Sequence, residues 1–271
     1  VTGGILDGVS SVLFAHAHPD DETLASGGLI ADLVARGVRV TLLTASRGER
    51  GEIVAGALPG TGADALTRAR EVELAGAVAA LGIASQYWLG SAPARAAGLT
   101  PRRYRDSGME WIRPGLAGPA GDADSDALSV APLSEVVDDV AAVLAAERPS
   151  LVISYDSGGG YGHPDHVRIR DAAVAASALL EIPYGELLEV PAADAEWFAL
   201  SSHRAVVTAA LRCHASQLTV VGDDVVHSGG QREPIGTDVG LRLVSPFGVR
   251  VVTPRGEAGI LDPGPALPLP L

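Results

Sequence analysis

Apolar positions along the chain alternate between short continuous runs and longer stripes at helical spacing. Ser11 to Ala15 is a short apolar run that opens into His16-Ala17-His18, as a buried parallel strand ending at a polar site would. Thr23 to Ala35 carries apolar residues at helical spacing, Gly37 stops it, and Val38 to Leu43 reads as a second strand. The three segments form a βαβ unit with a right-handed crossover. Leu66 to Leu81 predicts another helix, stopped by Gly82, and Gln86 to Leu89 a short strand. Pro132 to Ala146, Leu151 to Tyr155 and Asp165 to Leu180 continue the alternation as helix, strand and helix.

Two regions break this rhythm. Pro93 to Pro132 is rich in Gly, Ala, Pro and Asp and has little periodicity; so long a stretch inside a compact domain is a functional loop or partly disordered. From Pro183 onward, β-like runs (Val206 to Ala209, Leu218 to Val221, Leu241 to Val244, Val249 to Val252) mix with turns, and Pro263 to Leu271 is a proline-rich tail. The fold class expected is α/β. Residues 1–182 form a Rossmann-like, doubly wound, mostly parallel sheet, and residues 183–271 a smaller C-terminal mixed β lobe packing on the same domain.

In such sheets ligands sit beyond the carboxyl ends of the strands, near the point where strand order reverses. Two histidine-rich motifs fall at such ends, on different strands: His18-Pro19-Asp20-Asp21-Glu22 and His163-Pro164-Asp165-His166. Segments about 145 residues apart can therefore converge on one site. Zinc accepts imidazole nitrogen and carboxylate oxygen, and a catalytic zinc keeps one position open for water. His18 and Asp21, three residues apart at a strand-to-helix junction, can face one metal, and His166 completes a His-Asp-His set. Asp20 is then left beside the metal as a general base. The plainer reading makes Asp20, Asp21 and Glu22 an acidic helix cap, which accounts for Glu22 as well as any other role but leaves the histidines unexplained.

His163 suits an oxyanion partner or a proton donor to a leaving amine, Asp165 a group orienting its imidazole, and Tyr161 a hydroxyl aimed at the same oxyanion. Gly158 to Gly162 does not make a dinucleotide fingerprint, because His163 occupies the third glycine's place. There is no G-x-S-x-G elbow, and the adjacent Cys213-His214 pair is a poor thiol-nucleophile arrangement.

Composition narrows the partners. A net charge of -13 argues against nucleic acid or an anionic membrane, and no segment approaches the roughly 18 apolar residues of a membrane span. Every basic side chain is arginine, which excludes a lysine Schiff base. The single cysteine and the absence of a signal-peptide pattern make a cytoplasmic setting the expectation.

Ala17 to Leu24 and Gly162 to His166 resemble the two hallmark segments of the LmbE-like (PIG-L) family of zinc-dependent N-deacetylases, which act on N-acetylglucosaminyl groups. Tyr104 to Met109, Tyr155-Asp156 with Gly159 to Gly162, and Ala210 to Gln217 extend the resemblance toward the branch acting on N-acetylglucosaminyl-inositol in mycothiol biosynthesis. The resemblance implies His18, Asp21 and His166 as zinc ligands (iron or cobalt would accept the same set), Asp20 as base, and His163 as oxyanion partner oriented by Asp165, with Tyr161 nearby. It also implies Arg70, Asp106 and Glu52 as contacts to a small amino-sugar substrate. The alternatives are deacetylation of another glycosylated metabolite and a non-catalytic sugar-binding protein.

Overall fold

The computed structural model describes residues 3–58 and 62–244. The run Val249 to Val252 and the proline-rich tail lie outside the described residues. Helices and strands alternate through the first two thirds: β1 (Ser11–His16), α1 (Asp21–Leu24), α2 (Gly27–Ala35), β2 (Arg39–Thr44), α3 (Ala63–Leu81) and β3 (Ser85–Trp88). A hairpin follows, β4 (Met109–Arg113) and β5 (Leu116–Pro119), then α4 (Leu133–Glu147), β6 (Leu151–Ser154) and α5 (Pro164–Leu179). The remainder is β7 (Tyr184–Leu188), β8 (Glu196–Phe198), α6 (Arg204–Leu211), β9 (Leu218–Val221), β10 (Asp224–His227), β11 (Arg232–Pro234) and β12 (Val239–Val244).

The main sheet runs β3-β2-β1-β6-β7-β12-β8. Its β3 to β7 portion is parallel, and β12 and β8 add an antiparallel edge. Strands after residue 183 thus divide between this sheet and a small antiparallel one, β11-β10-β9.

Alternation along the central strands explains why both faces are covered. Leu13, Ala15, Leu43 and Val152 point to one face, where Val136 and Val140 of α4 and Ile169 and Ala172 of α5 meet them. Val12, Phe14, Leu42 and Ile153 point to the other, against Leu29, Ile30 and Leu33 of α2 and Leu74, Ala77 and Leu81 of α3. Each Val, Leu, Ile or Phe side chain so removed from water contributes about 1.5–3 kcal/mol. The two outward-running halves of the sheet meet at β1 and β6, which pair in parallel with Phe14 opposite Ile153. Both histidine motifs follow these two strands, so the reversal point expected from the sequence carries them side by side.

Three local expectations change. The helix predicted from Thr23 to Ala35 is two helices, because the Ser26 hydroxyl takes the Glu22 carbonyl at 3.0 Å and interrupts the helical ladder. Val206 to Ala209 lies inside α6: Val207, Ala210 and Leu211 form its buried stripe, and tertiary packing overrides the β preference of paired valines. The stretch from Pro93 to Pro132 is an ordered loop with a hairpin in it. Tyr104 is fully buried and donates to Asp139 at 2.8 Å, while Arg95 bridges Glu135 and Asp139 at 2.8 and 2.9 Å, fastening the loop to α4.

Gly28, in the first turn of α2, faces the backbone of the segment before β12. A Cβ at this position would lie 2.1 Å from the Thr237 carbonyl oxygen, a backbone atom that cannot swing aside. Gly28→Ala is therefore expected to destabilise the protein by about 1–3 kcal/mol, the usual cost of overpacking. Urea denaturation of the purified variant measures this. Parent-like stability would mean that α2 does not seat on this segment.

Candidate active site

The site is built from three chain segments that meet over the β1/β6 junction. From the first, β1 ends at His16, and the turn through Ala17 to Asp20 leads directly into α1. The Asp21 carboxylate is its centre. It accepts from the His18 backbone N–H at 2.8 Å and from the Tyr155 hydroxyl at 2.7 Å. The same hydroxyl accepts the Ala17 N–H at 2.9 Å, so Tyr155, just past β6, ties the two strand ends together. Asp21 Oδ2 lies 3.4 Å from His18 Nδ1, and Oδ1 lies 3.4 Å from His166 Nε2.

The second segment is the α5 start. His163 is the N-cap, and its Nδ1 accepts the Asp165 N–H at 3.2 Å, since Pro164 at the first helical position has no N–H to offer. That contact fixes the neutral tautomer with the proton on Nε2. His166, one turn into the helix, holds its Nδ1 3.2 Å from the Gly159 carbonyl, and its Nε2 is buried without a hydrogen-bond partner among the described residues. Gly159 approaches closely enough for this only because it is glycine: at φ 67° a Cβ would sit 2.9 Å from the Val167 amide nitrogen.

The third segment, Asp106-Ser107, comes from the long loop. Asp165 receives the Ser107 N–H at 2.9 Å and the Ser107 hydroxyl, and it lies 3.2 Å from His18 Nε2. This differs from the sequence expectation. The Asp165 carboxylate holds His18, and it is the Asp165 backbone N–H that orients His163. The helix geometry is the reason, because an N-cap side chain is satisfied by the backbone of the turn that follows it.

Two overlapping groups could hold a cation: His18, His163 and His166, and His18, Asp106, His163 and Asp165. Asp21 is in neither group, but one of its oxygens lies against each of the two imidazoles that the resemblance makes metal ligands, His18 and His166. With bonds of about 2.0–2.1 Å, neighbouring ligand atoms of a tetrahedral zinc stand about 3.4 Å apart, the distance of Asp21 Oδ2 from His18 Nδ1 and of Asp21 Oδ1 from His166 Nε2. His166 Nε2 is buried and has no hydrogen-bond partner among the described residues. His18 Nε2 and His163 Nδ1, in contrast, already have partners.

Electrostatics follows from this crowding. Burial alone would lower the His18 pKa, but Asp106, Asp165 and Asp21 outweigh it and hold it well above the histidine range. Burial would raise Asp21, yet His166 and His18 hold it well below the carboxylate range. Burial, and then the charges of His18 and His166, push His163 down to about 3. For Asp20, burial and the neighbouring Asp21 charge push the carboxyl up to about 7, against His214 and Arg70.

Asp20 also has unusual backbone: φ 105°, ψ -31°. Such a conformation costs a non-glycine residue about 1–3 kcal/mol and clusters at functional sites. As the N-cap of α1, its side chain makes no capping bond, so the acidic-cap reading does not account for it. Glu22 is different. It is fully buried, accepts the Asp20 N–H at 3.0 Å and pairs with His214 at 2.7 Å.

Tyr161 lies edge-on to His163 and His166, at centroid distances of 6.2 and 5.1 Å, and packs against half-exposed Trp111 of the hairpin at 5.8 Å. The residues expected at the substrate are less uniform. Asp106 is buried 3.6 Å from His18 Nε2 and accepts the Arg50 and Gly108 amides at 3.1 and 2.8 Å. Arg70 is buried, and its terminal nitrogens donate to the carbonyls of Gly48 and Glu52. Glu52 itself is exposed. Sequence chemistry assigned no role to Ser107, His214 or Gln217, although all three, like Tyr155, lie in stretches that carried the resemblance.

Residues 13–177 match the PIG-L family, described as GlcNAc-PI de-N-acetylase. The chain belongs to this family. Among relatives of this PIG-L member, the 1D-myo-inositol 2-acetamido-2-deoxy-alpha-D-glucopyranoside deacetylase of Kineococcus radiotolerans is 44% identical over 64% of this chain. The match covers only 46% of that relative's length. The enzyme of the same name from a Nocardioides species is 37% identical over 80% of this chain and 69% of its own.

Two solved structures share the fold. N,N'-diacetylchitobiose deacetylase from Pyrococcus horikoshii has a TM-score of 0.55 and 21% identity, covering 77% of this chain and 71% of that one. The 4-carboxy-2-hydroxymuconate hydratase of Pseudomonas putida has a TM-score of 0.55 and 19% identity over 89% and 98%. Among the described residues no helix is long and apolar enough to cross a membrane.

The Tyr155 hydroxyl serves two buried groups at once, which makes it a sensitive probe of the site's scaffold. Tyr155→Phe removes the donor to Asp21 and the acceptor of the Ala17 N–H. Leaving those groups unpaired should cost the metal-free protein about 1–3 kcal/mol of stability in urea unfolding. A loss within error of zero would mean that neither bond persists in solution.

Proposed function

We propose that this PIG-L member is a metal-dependent N-deacetylase that hydrolyses the acetamide of an N-acetylglucosaminyl substrate, with N-acetylglucosaminyl-inositol as the preferred one. One observation carries the reading: the two oxygens of Asp21 lie 3.4 Å from His18 Nδ1 and from His166 Nε2, and the preceding residue, strained Asp20, has a carboxylate that caps no helix N–H. A non-catalytic sugar binder would have no use for that last feature.

His18, Asp21 and His166 would hold the metal, with zinc the best match to nitrogen and carboxylate donors. A zinc ion there supplies a Lewis acid for the amide carbonyl and lowers the pKa of water. Asp20 takes the proton of the attacking water as its oxygen adds to the carbonyl carbon. His163 Nε2–H and the Tyr161 hydroxyl donate to the oxyanion that develops. The C–N bond then breaks, acetate leaves, and the proton held by Asp20 passes to the amine. Asp165 works one step removed, keeping His18 in the tautomer whose Nδ1 faces Asp21.

The inositol aglycone is supported by similarity to the 1D-myo-inositol 2-acetamido-2-deoxy-alpha-D-glucopyranoside deacetylases more than by individual side chains. Because the terminal nitrogens of Arg70 are committed to loop carbonyls, a second reading has support: deacetylation of another glycosylated metabolite, with Arg70 shaping the 48–52 loop. Asp106, and Glu52 at the exposed rim, are the polar contacts proposed for the sugar. A cytoplasmic setting fits an enzyme of small-molecule metabolism with one cysteine.

Zinc-loaded protein should release amine from N-acetylglucosaminyl-inositol faster than from free N-acetylglucosamine. Asp20→Ala should retain its zinc and lose about 10²–10⁴-fold in turnover, and His166→Ala should lose the zinc itself. Fluorescamine detection of the amine and atomic absorption for zinc read the two effects separately. Full turnover in zinc-bearing Asp20→Ala would overturn the proposed chemistry, whereas faster hydrolysis of another glycoside would overturn only the choice of substrate.

A further inference from the structure

The peptide unit between Pro19 and Asp20 is gripped on both sides. Its carbonyl oxygen, on Pro19, accepts from Gln217 Nε2 at 2.6 Å, and its N–H, on Asp20, donates to Glu22 Oε2 at 3.0 Å. Glu22 is in turn held by His214 Nε2 at 2.7 Å and the Thr23 hydroxyl at 2.5 Å. Both Glu22 and His214 are fully buried. His214 and Gln217 belong to one short turn after α6, closed by the Gln217 N–H on the His214 carbonyl at 2.9 Å. Ser216 anchors that turn to α3 through its N–H and hydroxyl on Glu73, at 2.7 and 2.6 Å.

The orientation of this peptide unit sets φ of Asp20. At 105° that angle is one that a residue with a side chain seldom adopts, and such conformations persist only where the surroundings over-determine them. We infer that His214 and Gln217 are positioning residues for Asp20: the turn after α6 clamps the Pro19–Asp20 peptide unit, directly through Gln217 and through Glu22 for His214, and so aims the Asp20 carboxylate at the site. The inference rests on the reading of Asp20 as the base. His214 does not act on substrate, because it has no solvent-exposed surface and its Nε2 is spent on Glu22. The clamp also gives the C-terminal third of the chain a part in catalysis, although the family match ends at residue 177.

The test is a double-mutant cycle on the zinc-loaded full chain, with His214→Ala and Asp20→Asn singly and together. His214→Ala should lower kcat about ten- to a hundredfold, the scale expected from misplacing a reacting group by about an ångström. KM and zinc content should stay near the parent values. In the Asp20→Asn background the same change should cost nothing further, since there is no base left to aim. His214→Gln, which keeps an N–H for Glu22, should recover most of the loss. Should His214→Ala fail to fold, Gln217→Ala takes its place in the same cycle. Parent-like kcat in a folded clamp variant, or equal losses in both backgrounds, would overturn the positioning role while leaving Asp20 as the base. Undiminished turnover in Asp20→Asn would instead overturn the base and the clamp together.

Discussion

A carboxylate buried where the two halves of a sheet meet must find most of its partners in the protein, and here that carboxylate is Asp21. Its oxygens are met by the His18 backbone N–H and the Tyr155 hydroxyl, and both imidazoles of the candidate metal set stand 3.4 Å away. An ionised group in such a place is tolerable only when paired and hydrogen-bonded. Around it Tyr155 ties the β1 and β6 ends together, Ser107 and Asp165 stand behind His18, and His166 Nε2 has no hydrogen-bond partner among the described residues. The rest of the site is arranged around this demand.

The fold supplies the place and the side chains supply the chemistry. A hydratase and a deacetylase both share this architecture at about one-fifth sequence identity, so the sheet by itself does not choose a reaction. What distinguishes this chain is the division of labour among its acids. Asp21 faces the imidazoles, Asp165 holds His18 Nε2, Glu22 is buried in the clamp, and the Asp20 side chain makes no hydrogen bond among the described residues. Four carboxylates within two short motifs thus take different roles because each meets different neighbours.

Local pattern made much of this legible. The strand runs ending at His18 and before His163, and the helices that follow, could be read from periodicity, and both motifs sit where an α/β sheet gathers its ligands. What escaped were contacts between distant segments. No spacing announces that His214 meets Glu22, that Ser107 meets Asp165, or that Tyr155 reaches both Asp21 and Ala17. The role given to Asp165 moved from His163 to His18 because helix capping had already satisfied His163. Val206 to Ala209 read as a strand because valine pairs favour one, whereas α6 forms by burying one face. Arg70 looked like a free substrate contact, but in the fold its terminal nitrogens serve the loop carbonyls beside it.

The central claim is that one metal position lies between His18, Asp21 and His166. Anomalous diffraction from crystals of the zinc-loaded protein, measured on both sides of the zinc absorption edge, tests it most directly. The account predicts a single anomalous peak bonded to His18 Nδ1, Asp21 and His166 Nε2, with Asp165 still on His18 Nε2 and Asp20 unbonded beside it. A peak bonded instead to His163 with Asp106 or Asp165, and His166 Nε2 left free, would contradict it.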